Sequence, residues 1–447
     1  MKTLSLRQFI SLSFFLFAMF LGAGNIIFAP VLGQSAGSHT WLAMSGFLIT
    51  GVGLVLLAII ALALSGGAVE KLAGRINPTF AVIFSVALFL VLGPIYVLPR
   101  TGAVVYEVAV TPFVTQPPTD AFNTPLFVFS LLFFAATIYL TADISKLVHR
   151  VGEIITPVFV ALLLIIVLVA FFNPLGEVAE PTGVYIDQAF GKGFTQGYFT
   201  MDVLAAFVFG KIFLDATQKS GIPADNLSGV FVKCGIFSML ALAFVQISLS
   251  WLGATSVGAL GISANGGQAL TGIIGLLLGP QGVIILAVVV FLTGLTTAIG
   301  CLSAVSEYFS RLVPSLSYKQ WVVVFGVMSF AITNFGLTKI LQLSSPLLYI
   351  LYPISITLIV LTLFNRFLGR KSIYIGAVAG AAAMGFIDGF QDAGILPAGL
   401  HTWLGETLPF YSMGMGWILV TLAGGVSGLL VEKALRLNPV FFKNETI

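Results

Sequence analysis

Charge is what this sequence has least of. Asp, Glu, Lys and Arg together make up 8% of its 447 residues, against 58% hydrophobic, where an ordinary globular chain carries roughly a quarter charged. A soluble fold must cover its surface with polar groups, and a mean hydropathy of +1.08 leaves too few, so the chain reads as one that crosses a bilayer many times. The net charge is only +3 and is dispersed, which removes the basic patch a nucleic-acid partner would need. Cysteine is nearly absent: Cys234 and Cys301 both sit inside apolar runs, so there is no disulfide framework. The three histidines, His39, His149 and His401, fall between apolar segments. That leaves no intramembrane Ser/His set or metal cluster for an enzyme. No Gly-x-x-x-x-Gly-Lys-Ser/Thr run occurs, and no polar stretch is long enough to carry a nucleotide-binding domain. An ATP-driven pump is disfavoured and no ATPase subunit is expected.

What is present in abundance is long apolar runs. A membrane helix needs about 20 mostly apolar residues, and twelve stretches qualify, near 8–33, 41–65, 79–110, 122–141, 151–172, 195–215, 228–251, 281–305, 320–336, 340–364, 373–391 and 411–431. Membrane strands would be shorter and would alternate apolar with polar residues. The first run opens with Lys2 and Arg7 as a secretory signal would, but it continues past residue 30 and another begins at Trp41, so it reads as a retained span. The segment 173–194, with Glu177, Glu180 and Asp187, is expected to be the longest external loop.

The basic residues check the count. With the amino terminus cytoplasmic, 17 of the 20 fall on the cytoplasmic side, Lys192 and Lys339 on the other, and Arg100 within a span. A miscounted helix would scramble that alternation, so twelve helices with both termini cytoplasmic are expected.

Several spans contain groups that hydrocarbon does not tolerate. The first reads Gly22-Ala23-Gly24-Asn25 near mid-membrane and Pro30 beyond. Such a run is acceptable where the chain unwinds onto a cavity, presenting N–H groups to an anion and carbonyls to a cation. Small residues closing a helix–helix contact are the alternative. The sixth carries Asp202, an ionisable group that reads as functional by default: a cation ligand, a proton carrier or the partner of a ligand amine. Capping a half-helix that starts there is the structural reading. Two interrupted helices five apart are the mark of an inverted-repeat transporter. The eighth span places Thr293, Thr296 and Thr297 on one face. Hydroxyls with carbonyls suit a dehydrated hard cation such as Na⁺, although buried threonines also bond back to the preceding turn. The third holds Pro94 and Pro99, which should bend it, and Arg100, for which Glu107 and Asp202 are the candidate carboxylate partners; a structural ion pair with Glu107 is expected, direct contact with a ligand being the alternative. In the tenth, Pro346, Tyr349, Tyr352 and Pro353 are compatible with an aromatic gate or plain kinked packing, and Gly424 with Gly428 reads as helix packing.

Taken together, Gly22-Ala23-Gly24-Asn25 with Pro30, Gly93-Pro94…Pro99-Arg100-Thr101, and Tyr198-Phe199-Thr200-Met201-Asp202-Val203-Leu204-Ala205-Ala206 resemble the bacterial branched-chain amino acid:cation symporters, over essentially the whole chain. The resemblance implies uptake of leucine, isoleucine and valine coupled to Na⁺, or to H⁺, across the bacterial plasma membrane. It implies an all-α, LeuT-like fold of five-plus-five inverted repeats, with helices 1 and 6 interrupted: residues 1–172 and 195–364, then two accessory C-terminal helices in 373–431. It places the substrate carboxylate on the backbone N–H groups of Gly22, Ala23 and Gly24, and a sodium ion on Thr296 and Thr297 with carbonyls of Ala18, Leu21 and Thr293. Asn25 matches the position of a second sodium ligand in some members, and Asp202 through Phe207 would line the break of helix 6. Ala205, Ala206, Phe207 and Phe209 can supply the apolar pocket a branched side chain wants. Discrimination among the three should be weak, since one methylene is worth about 1–3 kcal/mol. The rival readings are an H⁺-coupled carrier for another small neutral amino acid or related solute, and a channel.

Overall fold

The computed structural model describes residues 5–65, 67, 69–114, 122–142, 161, 164–166, 168–169, 172, 175–219, 222 and 227–437. Among them there is no β-strand. The principal helices are α1 (Leu6–Phe20), α2 (Ala23–Ala36), α3 (Thr40–Leu48), α4 (Leu54–Leu64), α5 (Pro78–Leu90), α6 (Val97–Ala109), α7 (Thr124–Thr141), α8 (Tyr185–Gln196), α9 (Asp202–Lys219), α10 (Leu227–Leu260), α11 (Gly266–Leu312), α12 (Tyr318–Thr333), α13 (Leu337–Leu363), α14 (Lys371–Asp392), α15 (Ala398–Thr407) and α16 (Trp417–Leu437). Among the described residues, eight helical stretches are long and apolar enough to cross a membrane. The fifth expected span, 151–172, lies largely outside the described residues, as do Lys2, Lys146, Arg150 and Lys443 of the charge count.

Polar caps start several of these helices. Ser5 with Gln8, and Ser317 with Gln320, form capping boxes, while Asn77, Asn123 and Asn265 accept N–H groups of the first turns of α5, α7 and α11. The expected bend of the third span is present: a π turn over Val91–Ile95, containing Pro94, joins α5 to α6, with Gly93 at φ −97°, ψ −122°. The Gly424–Gly428 reading also holds, since a Cβ at either would lie 2.2 Å from a carbonyl oxygen of α14, that of Gly376 or Ser372.

Two elements differ from expectation. The sixth helix starts at Tyr185, so the second half of the expected 173–194 loop is helical. Its Asp187, Gln188 and Lys192 dilute the apolar run, and its burial comes from backbone contact: a Cβ at Gly193 would meet the Ala43 oxygen at 1.9 Å, and one at Gly46 the Phe190 oxygen at 2.2 Å. Hydropathy does not register helices that pack through glycine. Likewise α11 begins at Gly266, ahead of the expected 281, and turns sharply at Gly279 (φ +64°) before Pro280.

Candidate functional site

Helix 1 breaks where Gly22 and its neighbours predict it. α1 ends at Phe20, Leu21 leaves the helical region (φ −73°, ψ 67°) and Gly22 is extended (φ −92°, ψ 176°). The Gly22 N–H turns back to the Phe20 carbonyl at 2.7 Å, so the Ala18 carbonyl loses the donor four residues on. α2 then starts at Ala23 without a side-chain cap, which leaves the N–H groups of Ala23 and Gly24 without helical acceptors. Anion donors and cation acceptors therefore lie within one turn of chain. Tight packing is not why Gly22 is glycine: a Cβ there would make only ordinary contact, 3.8 Å from Thr297.

Helix 6 breaks beside it. α8 passes through a tight 3₁₀ turn, Gly197–Thr200, to Met201, which is left-handed at φ +68°, and α9 starts at Asp202. A non-glycine residue held in that conformation costs about 1–2 kcal/mol and persists only where its surroundings demand it. Asn25 ties the two breaks together. Its Nδ2 donates to the Phe20 carbonyl at 2.6 Å and to Asp202 Oδ1 at 3.0 Å, while its Oδ1 accepts from Gln246 Nε2 at 2.6 Å. All three side chains are buried, and among the described residues Asp202 Oδ2 has no hydrogen-bond partner. Asp202 is therefore not acting as the cap of α9. Sequence reading missed Gln246, although an amide between Val245 and Ile247 in a long apolar helix was a visible signal.

Arg100 does not form the expected ion pair. Glu107 accepts instead from Asn265 at 3.1 Å and Gln268 at 2.8 Å, and among the described residues no ion pair joins Arg100 to Glu107 or to Asp202. Seven residues of helix separate the two by roughly 10 Å along the axis, which puts Glu107 against the start of α11 and Arg100 against the breaks. There the guanidinium Nη1 donates to the Phe199 carbonyl at 2.5 Å and to the Tyr96 hydroxyl at 3.4 Å, with the Tyr96 and Phe28 rings beside it. Aromatic rings cover this side of the junction. Phe28 packs on Phe199 at 5.8 Å, Phe199 on Tyr349 at 6.3 Å, and Tyr198 stacks on Tyr352 at 4.4 Å.

The threonines of α11, the eighth expected span, differ in their bonding. Thr296 donates to the Thr293 carbonyl at 2.8 Å, the ordinary back-bond, whereas the Thr293 hydroxyl is buried with no partner among the described residues and Thr297 faces Gly22. The Thr297 side chain thus stands beside the break of helix 1, 3.8 Å from where a Gly22 Cβ would lie. Ala205, Ala206 and Phe207 are all buried just beyond the second break, with Phe207 edge-on to Phe84 at 6.3 Å.

A profile of the branched-chain amino acid transport proteins matches residues 5–435. The chain belongs to that family. It is accordingly a multi-pass membrane transport protein and not an enzyme. The branched-chain amino acid permease BraB of Bacillus subtilis (strain 168) is 41% identical over 444 residues, covering 98% of this chain and 99% of its own. Among solved structures, MhsT in complex with L-phenylalanine aligns over 94% of this chain and 98% of its own, with a TM-score of 0.57 at 20% identity. The inward-facing conformation of Mhp1 aligns over 94% and 91%, with a TM-score of 0.60 at 16% identity. At those identities the likeness is one of fold. The chain thus resembles MhsT and Mhp1 in fold.

Proposed function

We propose that this chain imports leucine, isoleucine and valine across the bacterial plasma membrane by symport with Na⁺. The carrying observation is the junction of two broken helices, where α2 starts without a side-chain cap and Asn25, in its first turn, donates to the Asp202 carboxyl group of the second break. The N–H groups of Ala23 and Gly24 suit a carboxylate, and Ala205, Ala206 and Phe207 suit an apolar side chain. Na⁺ is assigned to the Ala18, Leu21 and Thr293 carbonyls with the Thr296 and Thr297 hydroxyls; one Na⁺ entering down 100 mV supplies about 2.3 kcal/mol before its own gradient counts. In this reading the chain has twelve spans, both termini cytoplasmic, and two five-helix repeats, 1–172 and 195–364, followed by accessory helices in 373–431. The BraB relative, named a branched-chain amino acid permease, supports the substrate class.

H⁺ coupling is the second reading, favoured by one observation: Asp202 Oδ2 is buried and has no hydrogen-bond partner among the described residues, a place for a proton to reside. The deciding experiment is labelled leucine uptake into proteoliposomes under an inward Na⁺ gradient against matched K⁺. Na⁺-driven accumulation competed by isoleucine and valine is the expected result. Uptake indifferent to Na⁺ but driven by a proton gradient transfers the coupling to Asp202, and no leucine movement under either gradient removes the substrate assignment.

A further inference from the structure

We infer that Arg100 is the side chain that grips the carboxylate of the transported amino acid, with Asp202 facing its ammonium, an assignment that rests on the broken-helix junction being the substrate site. Arg100 is only 3% exposed, and among the described residues no carboxylate lies within 4.0 Å of it. Its acceptors, the Phe199 carbonyl and the Tyr96 hydroxyl, are neutral, and both are served by Nη1. Nε is buried and has no acceptor among the described residues. Nη2 has no acceptor among the described residues and lies against Gly24, where a Cβ would come within 2.6 Å of it. Nε and Nη2 form one edge of the guanidinium, the edge whose two parallel N–H groups match the oxygens of a carboxylate.

The opposite charge stands on the other flank of the same turn. Gly24 abuts the guanidinium, while the next residue, Asn25, holds Asp202 Oδ1 and leaves Oδ2 unpartnered. Consecutive residues of helix 1 thus contact a buried guanidinium and a buried carboxyl group, each with a polar atom that has no partner among the described residues. A buried charge left unpaired is costly in an apolar interior. An α-amino acid, with ammonium and carboxylate on one carbon, neutralises both at once; an amine or a carboxylic acid alone neutralises one. The uncapped N–H groups of Ala23 and Gly24 then add to the carboxylate contact made by Arg100.

The test compares leucine with leucinamide, which keeps the ammonium and side chain but carries no negative charge. Binding of each to purified full-length protein in saturating Na⁺ is measured for wild type, Arg100→Gln, Arg100→Lys and Gly24→Ala. Truncating one member of a buried charge pair should cost leucine about 100-fold or more in affinity for Arg100→Gln, with leucinamide changed by under about threefold and Arg100→Lys intermediate. Loss of both ligands by the same factor, or no loss for leucine, overturns the assignment and leaves Arg100 as a strut for Phe199. If Arg100→Gln does not fold, Gly24→Ala decides. Its methyl group displaces Nη2 while keeping the charge, so loss confined to leucine supports the assignment and parallel or absent loss overturns it. A wild type that binds neither compound sinks the junction reading itself, and this assignment with it.

Discussion

Removing the Asn25 side chain tests whether the two helix breaks act as one unit. Asn25→Ala deletes three hydrogen bonds of 2.6, 3.0 and 2.6 Å and strands their partners: the Phe20 carbonyl, Asp202 Oδ1 and Gln246 Nε2. Bonds between membrane helices average roughly 0.6 kcal/mol and reach about 1.7, so three predict a loss of about 2 kcal/mol, rising towards 5 at the upper limit. Asp202 pushes the value up, because hydrogen bonds to a charged group are worth about 1.5–3 kcal/mol. Asn25→Ala, Asp202→Ala and the double variant form a cycle that isolates the tether from the rest. Leucine affinity and thermal stability in detergent are the readouts. A coupling of about 1 kcal/mol or more is expected, with the double variant little worse than the worse single one. Additivity within about 0.4 kcal/mol, or wild-type stability in Asn25→Ala, would refute the idea that this side chain locks the breaks together.

Further outcomes follow from the same geometry. Thr296→Ala and Thr297→Ala should each raise the Na⁺ concentration for half-maximal uptake by about tenfold, the effect of 1.4 kcal/mol, and Thr293→Ala by less, because Thr293 is assigned through its backbone carbonyl, which alanine keeps, while the Thr296 hydroxyl donates its proton to that carbonyl and leaves its oxygen to coordinate. Uptake titrated against Na⁺ reads the order directly. Gly33→Ala puts a methyl carbon 1.9 Å from the Ser250 carbonyl oxygen and should destabilise by about 1–3 kcal/mol or more as an overpacking change. Gly300→Ala meets nothing within 4 Å and should be neutral or stabilising by up to about 1 kcal/mol through helix propensity. Thermal melts of the two separate them. Glu107→Gln should leave leucine affinity within about threefold, less than 1 kcal/mol, and show no coupling to Arg100→Gln, since Glu107 binds the amides of Asn265 and Gln268.

The sites of interruption were legible because their causes are local. Glycines with an asparagine in an apolar run announce a break whatever surrounds them, and the chain does unwind at Leu21–Gly22. Asp202 announced itself by its cost in hydrocarbon. The start of the sixth helix was not legible: Lys192 and Gln188 hide a segment whose burial depends on glycines pressed against α3. Gln246 was overlooked because one amide in a long apolar helix means little until its partner is known.

What the sequence determined by itself is the many-times-crossing helical frame, its polar caps and the places where it breaks, since apolar content, capping residues and helix-breaking glycines act on the chain next to them. The tertiary structure alone decided the partners. Glu107 lies closer to Arg100 in sequence than any other carboxylate does, yet it turns to α11, while Arg100 reaches Phe199, ninety-nine positions away. A charged side chain in a bilayer pairs with whatever the crossing helices bring to its depth. Which helices cross there is set by close packing over the whole bundle, not by spacing along one strand of sequence.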